Sequence, residues 1–274
     1  MTTVRLKNNL GAADNSRLFS QNIWGDCPLE AIRNGRMIGM IFEDDFTQGG
    51  LITSPTTSAA LVGLNYSGFG SSGATITYSN ELGGGVVIAE TTDDEACSIF
   101  SLSHCFQLGR TKGPLWFEAR IKPSHTATTE QAMFLGLADS TAKIVTVPLT
   151  ASAGALADLN LVGFHKLDTD LTSVKTAYKA DGETAVTLET CTSALTAATY
   201  VKLGFKKDAN GLLSFYINNL RQDVTFQIVD DTDDASNSLF PGDTLLAPCL
   251  SMHLGAAASD NTITLDWWRC VQLA

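Results

Sequence analysis

Apolar and polar residues alternate along most of this chain with a period of two. In "ATITYSN", Thr75, Thr77 and Ser79 fall opposite Ile76 and Tyr78. In "GPLWFEARIKP", Leu115, Phe117, Ala119 and Ile121 share one face, while Trp116, Glu118, Arg120 and Lys122 share the other. Successive side chains of a strand point to opposite sides, so this pattern predicts half-buried strands. "SIFSLSHCFQL" reads as another, with Phe100, Leu102, His104, Phe106 and Leu108 on one face. "GGVVIAETT", "QAMFLGLAD", "LNLVGFHKL", "SVKTAYKADG", "LLAPCLSMHLG" and "TITLDWWRCVQL" extend the series. The stretch "YVKLGFKKDANGLLSFYINNLRQDVTFQIV" predicts a three-strand meander. Its turns fall at Asp208 to Gly211 and at Asn218-Asn219, residues that tolerate positive φ. Roughly a dozen strands with almost no helix predict an all-β protein, an antiparallel two-sheet jelly-roll sandwich.

The first 40 or so residues break the pattern. Leu6, Leu10, Leu18, Ile23 and Trp24 are scattered without period. "GDCPLEAIRNG" predicts one or two helical turns, with Asp26 near the cap, Pro28 in the first turn and Gly35 past the end. We read residues 1–40 as an N-terminal arm and 41–274 as the sandwich domain. An arm this apolar is expected to pack on its own domain or on a neighbouring subunit. Leu6, Leu10, Leu18, Ile23 and Trp24 are therefore candidate interface residues, together with Trp116, Glu118 and Arg120 on the polar face of their strand.

Charge narrows the function classes. The net charge of -11 disfavours phosphate-directed nucleic-acid binding, which needs clustered Lys and Arg. No apolar run reaches the length of a membrane span. The opening "MTTVRLKNNLGAADNSRLFS" does not read as a secretory signal, so folding in a reducing cytoplasm is expected. The six cysteines form no CxxC pair and have no zinc-like histidine spacing. They read as reduced thiols, with Cys105, Cys249 and Cys270 in strand-like segments.

Other motifs point away from chemistry. "GFGSSG" (68–73) fits the dinucleotide pattern but precedes a strand rather than a helix, so a flexible loop is expected. "DDTDD" (230–234) lacks the glycine and glutamate of an EF-hand and reads as a solvated acidic turn, with a different calcium loop as the alternative. "TASAGALAD" (150–158) and "DDTDDASNS" (230–238) read as surface loops. His104 and His253 sit inside strand patterns, and no GxSxG elbow supports a hydrolase triad. Trp267 and Trp268 must point to opposite faces, one toward the core and the other to the opposite face or under the arm. No metal and no cofactor is implied.

The order of "IFEDDF", "LWFEARIKP", "AMFLGLAD", "LVGFHK", "YVKLGFKKDANGLLSFYINN" and "TITLDWWRCVQL" resembles the concanavalin A-like lectin/glucanase jelly roll. It looks closest to the versions in head-decoration or cement proteins of tailed-phage virions. The likeness covers about residues 41–274. In the glucanases of this superfamily the catalytic acids lie on a later strand, written E-x-D-x-x-E, and not on the strand resembling "FEARIK". The matching segment here is "DLNLVG", which offers Asp158, Asn160 and Gly163. Retaining hydrolysis needs two carboxyl groups about 5–5.5 Å apart, and Asp158 is the only carboxylate of this segment before Asp168. The resemblance thus implies a non-enzymatic virion structural protein, made in the host cytoplasm and placed on the capsid surface. There it would bridge major capsid protein subunits as a homo-oligomer, with a trimer implied by the resemblance alone. The alternative is a glycan-binding module contacting surface carbohydrate.

Overall fold

A computed structural model describes residues 13–47, 60–61, 65–70, 73–81, 83–92, 95–103, 105–126, 130–139, 147–150, 153–184, 186–228, 240–255 and 261–274. Two short helices, α1 (Gln21–Trp24) and α2 (Leu29–Arg33), precede sixteen strands. Strands β1 to β6 are Gly39–Asp44, Ala60–Leu61, Tyr66–Gly70, Thr75–Tyr78, Val86–Glu90 and Ala96–Ser101. Strands β7 to β11 are Leu115–Pro123, Gln131–Ala138, Leu161–Lys166, Lys175–Lys179 and Val186–Thr190. Strands β12 to β16 are Val201–Lys207, Leu212–Ile217, Leu220–Gln227, Ala247–Leu254 and Asn261–Leu273.

They form two antiparallel sheets of eight strands. The first runs β14-β13-β12-β7-β16-β5-β4, with β1 also paired to β16. The second runs β11-β10-β9-β8-β15-β6-β3-β2. The predicted meander is β12, β13 and β14. Asn218 (φ 48°) and Asn219 (φ 70°) close its second hairpin, a conformation asparagine reaches more readily than most residues. Gly211 (φ 83°) serves the first, where the Asp208 carboxylate accepts the N–H groups of Asn210 and Leu212.

The core lies between the sheets. Leu115, Phe117, Ala119 and Ile121 all enter it, as their alternation predicts. Phe164 and Phe215 meet edge-to-face across the two layers at 5.6 Å. At one end Trp268 packs among Phe42, Phe46 and Tyr66. Trp267 points the other way, to the outer face of the first sheet, where it meets Phe19.

Three expectations fail locally. "SIFSLSHCFQL" is not one strand: β6 ends at Ser101, and Phe106 pairs only through an isolated bridge to Leu246. Phe100 lies on the outer side of the second sheet while Phe106 and Leu108 lie in the core, because the break after Ser101 resets the alternation. His104 falls outside the described residues. Cys105 lies outside the strands, and Cys97 occupies β6 instead. "GFG" of the glycine-rich motif is strand β3, held by β6, not a loop.

Candidate functional site

The polar face of β7 is not open to solvent. Glu118 has no exposure and Trp116 has 4%, because residues 13–33 lie across the outer face of the first sheet. The arm's two helices are too short to persist alone. They are held by a separate apolar cluster of Ile23, Ile32, Trp116, Tyr216 and Val271, with Trp24 and Leu29 at its margin. Ile23 fills a notch left by Gly204. A Cβ at that glycine would come within 2.6 Å of Ile23 Cδ1 and 2.7 Å of the Phe117 carbonyl oxygen.

Polar contacts fix the register of the arm. Glu118 Oε2 accepts hydrogen bonds from the Ser20 backbone N–H (3.1 Å) and the Trp24 indole N–H (2.7 Å). Glu118 Oε1 is buried without a partner, and so is the Ser20 hydroxyl. Burial pushes the Glu118 carboxyl up, and Ser20, Lys202 and Trp24 only partly offset it. Lys202, also fully buried, donates to Asp14 (3.0 Å) and to the Leu18 carbonyl (2.8 Å). Arg120 donates to the Asn15 carbonyl (3.0 Å) and to Asp266 (2.5 Å), which also pairs with Arg17. The Trp116 indole donates to Asp26 (2.9 Å), which pairs with Lys206. Burial alone would raise the Asp26 carboxyl, but Trp116 and Lys206 outweigh it and hold it low. The Arg269 guanidinium stacks 3.5 Å from the Phe19 ring centroid and 5.3 Å from that of Trp24, and pairs with Glu43.

Of the residues singled out in the sequence, Ile23, Trp24, Trp116, Glu118 and Arg120 therefore meet at one place. They meet within one chain, so the face pictured as solvated or at a subunit contact is covered in cis. The Glu118 carboxylate and the Trp116 indole can be buried there because the arm supplies their partners. Leu18 is not buried with them: its side chain is 72% exposed while its carbonyl binds Lys202. Leu6 and Leu10 lie outside the described residues, as does "DDTDD". Sequence reading missed Asp266 and Lys202. Lys202 shares the outward parity of Gly204 and Lys206, a signal that was available. Asp266 owes its position to a bulge between Leu265 and Trp267, which puts two adjacent residues on the outer side.

The segment matched to the glucanase catalytic strand lies on the second sheet. Asp158 accepts the Gly182 N–H (2.8 Å) and pairs with Lys179 (3.3 Å). Asn160 accepts the Asp181 N–H (2.9 Å). Both side chains thus brace the turn after β10. Gly163 sits against Gly136 of β8, where a Cβ would come within 2.3 Å of the Leu135 carbonyl oxygen and 2.8 Å of Gly136 Cα. Above this outer face Leu149, Leu156 and Leu159 pack with Phe100, Phe134, Leu161 and Cys249. Within "TASAGALAD", then, the described residues 153–158 are not a plain surface loop. The Gly154 carbonyl lies 2.8 Å from His165 Nε2. Among the described residues no group of three or more His, Cys, Asp or Glu could hold a metal ion. An open concavity of about 260 Å³ lies on the edge strand β14, lined by Arg221, Gln222, Asp223 and Thr225.

No protein-family model matches the sequence, and no curated protein does. Solved structures do match. One is a Shewanella oneidensis protein of unknown function, 12% identical, with a TM-score of 0.54 over 90% of this chain and 94% of that one. Another is a Bacteroides ovatus GH16 protein in complex with an oligosaccharide product, 14% identical, with a TM-score of 0.52 over 85% and 99%. A third is an endo-1,3-β-glucanase of Streptomyces sioyaensis, 11% identical, with a TM-score of 0.50 over 85% and 95%. The fold is a concanavalin A-like jelly roll. At these identities the likeness extends to the architecture of the jelly roll and not to its chemistry.

Proposed function

We propose that this jelly roll is a non-catalytic recognition module, with carbohydrate as its ligand class. The observation that carries the first half is the segment of Asp158, Asn160 and Gly163, of which only Gly163 lies on a strand, β9. It offers one carboxylate, already engaged by Gly182 and Lys179, where a retaining glycosidase needs an opposed pair. Support for the second half is the architecture shared with glucan-active proteins. Because the arm covers one outer face and Leu149, Leu156 and Leu159 pack on the other, a sugar would be met at the rim. The concavity on β14 offers Arg221, Asp223 and Thr225, side chains suited to hydroxyl groups.

The arm favours a second reading, in which the rigid body and its clasped N-terminal segment serve assembly, as in a decoration protein bridging capsid subunits. One comparison separates the two. The full chain is screened on a glycan array that includes β-glucan oligosaccharides, and Arg221→Ala/Asp223→Ala is screened beside it. Glycan retention that the double variant weakens about tenfold, with no reducing sugar released, supports recognition. No retention, with the chain co-sedimenting on purified virus particles, supports assembly. Release of reducing ends above blank overturns the non-catalytic reading.

A further inference from the structure

The contacts beneath the arm have the character of peptide recognition. Asn15 and Leu18 are held through their carbonyls, by Arg120 and Lys202. Asp14, Ser20 and Asn22 are held through their backbone N–H groups, by the Asn218 carbonyl, Glu118 and the Asn219 side chain. Side chains add specificity. Asp14 pairs with Lys202, Phe19 lies between Arg269 and Trp267, and Ile23 fills the Gly204 notch. Alternating backbone and side-chain contacts of this kind define a site for a peptide segment that carries an acidic residue at its start and aromatic and aliphatic anchors after it.

The site and its occupant are structurally separable. Among the described residues, none before Met40 packs on the central core. Between the last buried arm residue, Ile32, and β1 lie six consecutive exposed residues, 33–38, with Gly35 at φ 66°. Met37 and Ile38 there are 41% and 82% exposed, large apolar side chains that the described residues leave open.

We propose that this platform also takes residues 14–24 of a second copy of the chain, the arm exchanging from cis to trans about residues 33–38. The inference does not depend on whether the ligand of the module is a sugar or a capsid. Cis and trans arms make the same contacts, so their balance is set by concentration. A short tether keeps its own arm at an effective concentration in the millimolar range. Exchange is therefore expected to be a minor state in dilute solution and to grow when copies are crowded together.

The test uses the full chain with a photo-reactive benzoylphenylalanine in place of Phe19, a half-exposed position that admits the larger ring. Light and ¹⁵N-labelled preparations are refolded together, at concentrations from micromolar to about millimolar. After irradiation, cross-linked peptides are identified by mass. The expected result is links from residue 19 to the segment around Trp267 and Arg269 that join one light and one heavy chain. Their share should rise with concentration toward half of all such links. Links confined to one isotope at every concentration would overturn the proposal. So would mixed links that fall elsewhere on the surface.

Discussion

Glu118 is an acid placed where an ionised acid is costly. It is fully buried, and two hydrogen bonds to one oxygen leave the other oxygen bare. Its carboxyl is raised above the ordinary value of 4.5, chiefly by burial. The folded state therefore binds more protons than the unfolded state between that value and the raised one. The contribution of Glu118 to stability is largest below pH 4.5 and falls as pH rises through the folded value. Glu118→Gln keeps an acceptor for Ser20 and Trp24 and removes the titration. Relative to the parent chain, the variant should gain urea resistance as pH rises from 4 to 8. Parallel stability curves for the two chains would show that Glu118 does not feel its burial. The alternation of "LWFEARIKP" made the outward direction of Glu118 legible. Its burial was not, since the partners come from Ser20 and Trp24, about a hundred residues earlier in the chain.

At the scale of elements, the central strands of the second sheet are set by glycine as much as by apolar residues. Gly136 and Gly163 stand opposite each other on β8 and β9, and each leaves no room for a Cβ on the other strand. The obstructing atoms are backbone, so they cannot swing aside. Gly163→Ala should lower stability by about 1–3 kcal/mol, the usual cost of overpacking, despite the ordinary preference for alanine in a strand. Thermal unfolding measures this, and an unchanged midpoint would mean that the strands can part without cost. The same crowding bears on function, because Gly163 is the position matched to the third catalytic acid. A glutamate could not be placed there while the strands keep their spacing. The bulge at Asp266 is the counterpart on the first sheet. It turns one extra residue outward and gives Arg17 and Arg120 a shared carboxylate. A period-two reading cannot foresee such a step, because the extra residue is chosen by packing on both sides of β16.

For the whole molecule, the two layers and the arm form three apolar clusters of very different size. The central one joins the sheets, and two smaller ones hold the arm and the side chains of Leu149, Leu156 and Leu159 to the outer faces. None of the six cysteines is disulfide-bonded: Cys97, Cys191, Cys249 and Cys270 are buried, and Cys27 and Cys105 are partly exposed. Burial raises the Cys27 thiol to about 11, so it too is a slow nucleophile at neutral pH. In the native protein a thiol reagent should reach Cys27 and Cys105 first and slowly, and the other four only on unfolding. Peptide mapping after timed labelling checks this. Early labelling of Cys249 or Cys270 would mean that the sandwich opens far more readily than its packing implies. Electrophoretic mobility should be the same with and without reductant.

The local pattern by itself determined most of the strands, the meander, its asparagine and glycine turns, which side of β7 enters the core, and that Trp267 and Trp268 face opposite ways. These follow from side-chain direction and backbone preference, which act within a few residues. Only the tertiary structure decided what covers the outward faces, where β16 bulges, and that Glu118 is buried rather than presented. Those outcomes depend on contacts between residues far apart in the chain, whose partners no local period records.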